Sequence, residues 1–292
     1  MVRFILLLMV CGTFTAGAQT PDSVARPRAQ PFLPVGSLFL PGLGQYVQHR
    51  PAAGAAFTGA GIVGLLLFVE GDTTGLTSGE LPLDGPRRRA FLGAQLYQTA
   101  GELSAYDTFR HSAQALRAIG RYRFLTQHEP MGRLLTAPFD PTFLKRWTTW
   151  VGLAYTGGLA LAVSNDPNRI QRSLTSSDVA FGSAVSLNAG IGEEALFRGW
   201  LYPVLYQGFG ERFWPSNGLQ SVAFGALHPH AGWFMVAIAG WAFYQGWLTR
   251  RNGWSVRESV FQHVWYDVVA TLVELGDARQ VTLSFTLPLP AF

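Results

Sequence analysis

The sequence predicts an all-α fold, a polytopic transmembrane helical bundle with a polar active-site cavity, and three features lead there. Charged residues make up 14% of the 292 positions and hydrophobic ones 48%, whereas an ordinary soluble domain is about 25% charged. Apolar stretches of near-span length recur along the chain. Several are interrupted by glycine, which is tolerable where protein rather than lipid surrounds the backbone. Within the last four of them lie glutamates, histidines, an aspartate and an arginine. An ionised side chain at the bilayer centre costs roughly 2.5 to 3.5 kcal/mol even on a lenient insertion scale, so such groups belong inside a bundle.

The elements follow in order. Residues 1–18 carry Arg3, an apolar run and Ala16-Gly17-Ala18, the layout of a secretory signal peptide, and are too short for a comfortable span. Cleavage is expected after Ala18. Cys11 is the only cysteine, which excludes disulfides within the chain, CxxC redox chemistry and cysteine-based zinc sites. Residues 19–35, polar and rich in proline, predict an extracytoplasmic linker. Residues 36–70 predict a membrane hairpin or first span: Pro41 and two glycines break GSLFLPGLGQYVQHR, and 52–69 has the length to cross.

The stretch 71–146 is polar and mixed, with helix-compatible patches over 88–123 and no full-length apolar run. It predicts a helical region outside the bilayer or on its surface, and Asp140-Pro141 fits a helix start. Residues 147–276 form the expected membrane core, with apolar segments at 147–163, 179–206, 219–227, 231–248 and 256–273. The tail, 277–292, alternates like a short strand, but Pro288 and Pro290 break it.

The net charge is +4, and Lys145 is the only lysine. Short clusters such as Arg87-Arg88-Arg89 and Arg250-Arg251 suit helix ends better than a phosphate-binding stripe, so no nucleic-acid partner is expected. With the mature amino terminus outside, both clusters would lie on the cytoplasmic side of a multi-pass protein of the inner membrane, in accord with the positive-inside rule.

The buried polar residues fall into three groups. In IGEEALFRGW, consecutive helical residues are turned by about 100°, so Glu193 and Glu194 face differently. Glu194 and Arg198, four apart, share a face and can pair, which leaves Glu193 without a local partner. AFGALHPH sets Phe224 and His228 one turn apart, and FQHVWYD does the same for His263 and Asp267. With a rise of 1.5 Å per residue, Glu193, His263 and His228 come to depths of about 8, 10 and 16 Å from the inner edge of a core about 30 Å thick. Ionisable groups converging below the surface from three segments are what a water-filled catalytic pocket requires.

EEALFRG, FGALH and HVWYD resemble the three signature motifs, EExxxR, FxxxH and HxxxN or HxxxD, of the CPBP family of intramembrane proteases, which includes the type II CAAX prenyl endopeptidases and bacteriocin-processing enzymes. The resemblance covers about 147–276. It implies a multi-helix membrane core that hydrolyses peptide bonds of a membrane-associated peptide or protein, with Glu193 as the general base that activates water. His228 would hold that water or share its proton, with Phe224 in the same motif. Glu194 and Arg198 would be the supporting pair, and His263 and Asp267 would stabilise the oxyanion.

An ionised Asp267 cannot donate to an oxyanion; it would be protonated, orient His263 or bind a metal. The family has been described both as metal-dependent and as metal-free, so Zn²⁺ held among Glu193, His228, His263 and Asp267 stays open. His230 is a spare candidate near the helix exit.

Other proteolytic chemistries lack their residues. HExxH is absent, Lys145 is far from a suitable serine, and Glu274-Leu275-Gly276-Asp277 lacks the first glycine of GxGD. A noncatalytic membrane immunity or scaffold protein retaining the fold is the alternative function. A transporter is a third, but no internal repeat supports it.

Overall fold

A computed structural model describes residues 33–74, 81, 84–126, 129–164, 170–228 and 234–277. The expected signal peptide, most of the expected linker, His230 and residues 278–292 lie outside the described residues. The chain opens with α1 (Leu33–Phe39), α2 (Leu43–Val47), α3 (Pro51–Val69), α4 (Gly85–Arg117) and α5 (Met131–Leu135). Two 3-10 turns, Ala137–Phe139 and Pro141–Lys145, lead to α6 (Trp147–Ser164). Next, α7 (Ser176–Glu194) runs through a π-helical segment, Ala195–Leu201, into α8 (Tyr202–Gly208). The chain continues as α9 (Phe213–Ala226), α10 (Phe234–Arg251) and α11 (Arg257–Leu275). No strand forms among the described residues, where Gln171 and Asp277 make one isolated bridge. The all-α expectation holds.

Local chemistry sets the helix starts. Thr175 and Asp178 form a reciprocal capping box on α7, each side chain bonding the other's backbone N–H at 3.2 and 2.7 Å. Asp84 accepts from Arg87 N at 2.9 Å at the start of α4. Proline is tolerated in the first turn of α3, where its missing N–H is no loss. Asp140 accepts from Thr142 N at 3.0 Å and caps a 3-10 turn, shorter than the helix start expected there.

By length and composition, α3 is the one described helix apolar enough to cross a membrane. The other expected spans fall below that measure because interior-facing polar residues dilute their average. α9 buries Ser216, Asn217, Gln220 and Ser221, and α11 buries Glu258, Gln262, His263, Asp267 and Glu274. A hydropathy average understates a helix whose polar side faces protein.

Much of 88–123 belongs to α4. α4 does not lie apart from the bundle but forms its centre, with every residue from Thr99 to Tyr106 buried, more than a full turn of helix enclosed by protein. It runs antiparallel to α3. Near one end Gly64 and Gly93 meet, so close that a Cβ on Gly93 would lie 2.6 Å from Gly64 O. Near the other, Arg50 pairs with Asp107 at 2.7 Å. Between them, α1 and α2 fold into a short hairpin on α4, turned at Gly42 (φ +96°) and tied by Gln45 Nε2 to Ser104 O at 2.9 Å.

The antiparallel crossing separates the two arginine clusters. Arg88 pairs with Asp178 at the start of α7, near Gly71 and Leu275; call this the first end. Arg251 stacks on Trp147 at the start of α6, and Arg250 on Tyr206, among Trp254 and Phe213 at the second end. The two clusters therefore lie at opposite ends of the bundle rather than at one, because α4 runs antiparallel to α3 between those ends.

Candidate active site

The site forms where α7, α11 and α4 approach most closely. Gly190 lets α7 press against α11: a Cβ there would lie 2.8 Å from Val264 N. Gly182, two turns earlier, faces Thr271 and Leu275 across the same antiparallel seam. The seam brings Glu193 and Glu194 beside His263 and Asp267. On the third side, a side chain at Gly192 would collide with the Glu102 carboxylate of α4, and Thr99 Oγ1 donates to Asn188 O at 3.1 Å.

Glu194 Oε1 lies 2.8 Å from Arg198 Nη1 and 2.9 Å from His263 Nδ1, so one oxygen anchors a guanidinium and an imidazole. The π-helical segment starts directly after Glu194 and contains Arg198; such bulges recur at functional sites. His263 Nε2 lies 3.8 Å from Glu193 Oε2 and 3.5 Å from Asp267 Oδ2. Glu193, Glu194, Arg198, His263 and Asp267 are all buried, Glu194 and Arg198 completely.

Aromatic rings close the layer. Trp241 meets His263 edge-on with centroids 4.7 Å apart, and Phe224 meets it at 5.9 Å. The Arg198 guanidinium lies 4.4 Å from the centre of Phe224. His228 joins the cluster through Phe224, whose ring is 4.9 Å away and whose carbonyl oxygen is 2.8 Å from His228 Nδ1. A carbonyl only accepts, so His228 Nδ1 carries a proton and Nε2 is the acceptor of the neutral ring.

The structure therefore gathers every residue singled out by the motifs, and changes one relation. Glu194 is not occupied by Arg198 alone, because His263 enters between the two glutamates and both reach it. Sequence reasoning missed Glu102 and Trp241. Glu102 stands among the charged neighbours of Glu193, together with Asp267, Glu194 and Arg198. A lone glutamate in an arginine-rich helix carries no motif; its signal was a carboxylate directly after two small residues, Ala100-Gly101.

The donors do not fit a metal site. Among the described residues no group of three or more His, Cys, Asp or Glu side chains is arranged to hold a metal ion. No catalytic step is routed through zinc.

The bundle thus buries carboxylates, two histidines and an arginine together. Residues 175–269 match the family model described as Type II CAAX prenyl endopeptidase Rce1-like, a family of membrane-embedded proteases. The matched segment is shorter than the 147–276 over which the motifs suggested a likeness, but it contains all of Glu193, Glu194, Arg198, Phe224, His228, His263 and Asp267. No curated protein and no solved structure gives a significant match.

Proposed function

We propose that the chain is an intramembrane endopeptidase, a multi-pass protein of the cytoplasmic membrane that hydrolyses peptide bonds of membrane-associated proteins or peptides with Glu193-activated water. One observation carries the reading: Glu193, Glu194 and Asp267 converge on His263 in a buried layer within the matched segment. Glu193 Oε2 takes a proton from water, the hydroxide attacks the scissile carbonyl carbon, and the C–N bond breaks as the proton passes to the leaving amine. A water 2.8 Å or so from each atom can bridge Glu193 Oε2 and His263 Nε2 across their 3.8 Å separation.

The remaining side chains hold this arrangement. Arg198 fixes Glu194, and Glu194 accepts from His263 Nδ1, which turns Nε2 toward Glu193 and Asp267. A proton on Nε2 would serve the oxyanion as a preplaced donor. Of the three roles open to Asp267, orienting His263 agrees best with its 3.5 Å approach to Nε2. His228, with Nδ1 held by Phe224 O, presents Nε2 as an acceptor for the attacking water or the proton it loses.

Peptide cleavage by the purified protein in detergent or lipid tests the reading, comparing wild type with Glu193→Ala and His228→Ala. Removing a general base lowers the rate by about 10² to 10⁴-fold. Cleavage that survives both substitutions would remove the mechanism, and the same assay with chelator tests the metal-free route.

A further inference from the structure

On the second-end side of the carboxylate–histidine layer, three helices each bury a glutamine: Gln220 on α9, one turn before Phe224, Gln245 on α10, one turn after Trp241, and Gln262 on α11, next to His263. A buried amide has donors and an acceptor to satisfy. The donors are provided for: Gln220 Nε2 reaches Asn217 Oδ1 and Ser221 Oγ at 2.8 Å, and Gln245 Nε2 reaches Gln262 Oε1 at 2.9 Å. The carbonyl oxygens of Gln220 and Gln245 accept from no protein group. The catalytic side is unsatisfied as well. Both kinds of atom are left over there: Arg198 Nε and Nη2 and Trp241 Nε1, all donors, have no acceptor, and Glu194 Oε2 and both Asp267 carboxylate oxygens have no donor.

These atoms are stacked by helix geometry. Trp241 precedes Gln245 by one turn, and Phe224, on which Arg198 lies, follows Gln220 by one turn. Orphaned donors and acceptors on two successive levels are matched by a small molecule able both to accept and to donate. Water does this, making about three hydrogen bonds when buried. Below the glutamines, Thr249 and Ser259 face each other at 3.1 Å, and Asn252 and Glu258 bond at 2.9 Å beside the half-exposed surface of the second end.

We propose that Gln220, Gln245, Arg198 and Trp241 line an internal water site that supplies water from the second end of the bundle to the carboxylate–histidine layer. The supply role rests on the hydrolase reading above; the site itself does not. A hydrolase enclosed by lipid needs such a route, because its nucleophile is the one reactant the bilayer excludes.

Hydroxyl radicals generated in place by an X-ray pulse oxidise side chains that touch bound water, so footprinting of the purified protein reads the site directly. Trp241 and Trp254 are matched probes, 5% and 6% exposed, but Trp254 is packed among Phe124, Tyr202 and Tyr206. In wild type Trp241 is expected to oxidise several-fold faster than Trp254. Equal, slow oxidation of both would overturn the site with no variant needed.

In Gln220→Leu/Gln245→Leu the Trp241 rate is expected to fall to that of Trp254, while exposed Trp214 is unchanged. In the cleavage assay the double variant is expected to lose kcat several-fold with KM unchanged. If labelling falls and kcat holds, the supply role is overturned and the hydrolase reading stands. If the wild type cleaves nothing, the hydrolase reading and the supply role fail together, and the footprint still decides the site.

Discussion

Glu194 and Arg198 show how a single pair decides the chemistry of its neighbours. Both are fully buried, and desolvating two charges costs several kcal/mol per ion unless they are paired. Arg198 is also placed over Phe224 at 4.4 Å and near Trp241 at 5.7 Å, whose ring faces attract a cation. Arg198→Met should therefore destabilise the protein by about 3 to 5 kcal/mol, since Glu194 loses its guanidinium and keeps only the His263 contact for a fully buried charge. Thermal unfolding in detergent measures this, and Arg198→Met/Glu194→Met should recover part of the loss. A single variant as stable as wild type would mean the pair is not the anchor described above. At this scale the sequence was informative, because motif spacing placed Glu194 and Arg198 on one helical face. It could not show His263 inserted beside Glu194, since the 100° step within one helix says nothing of a side chain arriving from another. Glu102 was illegible for the same reason.

The helices depend on glycine wherever their backbones carry the contact. A Cβ on Gly93 would run into Phe68 N and approach Gly64 O to 2.6 Å, so both obstacles are main chain and cannot rotate away. Gly93→Ala should force α3 and α4 apart and cost about 1 to 3 kcal/mol, the usual penalty for overpacking. The mutant's thermal midpoint checks it, and an unchanged midpoint would show that the two helices are not in backbone contact. Gly190→Ala acts on the other seam. Pushed off Val264, α7 carries Glu193 and Glu194 away from His263, so peptide cleavage should fall about tenfold or more, a displacement of about 1 Å being enough to cost that much. Full activity in this variant would show that the seam does not position the carboxylates. The sequence marked α3, with its unbroken apolar run, and the helices bearing the motifs. It concealed α4, three of whose charged residues, Arg88, Arg110 and Asp107, pair with Asp178, Glu129 and Arg50 within the bundle.

At the scale of the whole molecule, the antiparallel pairing of α3 and α4 constrains how the bundle would be oriented if α3 crosses a membrane. Arg87 to Arg89 and Arg250-Arg251 occupy opposite ends, so they cannot share a compartment if α3 crosses the bilayer. In a Cys11→Ser background, Arg89→Cys and Arg251→Cys should respond oppositely to a membrane-impermeant maleimide applied to intact cells. Labelling of both, or of neither until the cells are opened, would remove the crossing of α4. Which one reacts distinguishes two forces that the sequence sets against each other. The second end bears exposed Arg117, Arg121, Arg123, Arg146, Arg212 and Arg250, a basic rim that the positive-inside rule assigns to the cytoplasm. α3 starts at that same end, at Arg50, so this orientation keeps the residues before α3 inside, the reverse of what a cleaved signal peptide at 1–18 would give. The arginine rim is part of the folded bundle on several helices, whereas the amino-terminal signal acts once on a short segment. The expected result is accordingly labelling of Arg89→Cys and protection of Arg251→Cys. The opposite pattern would mean that the first segment overrides the rim and that the proposed water route opens to the outside of the cell.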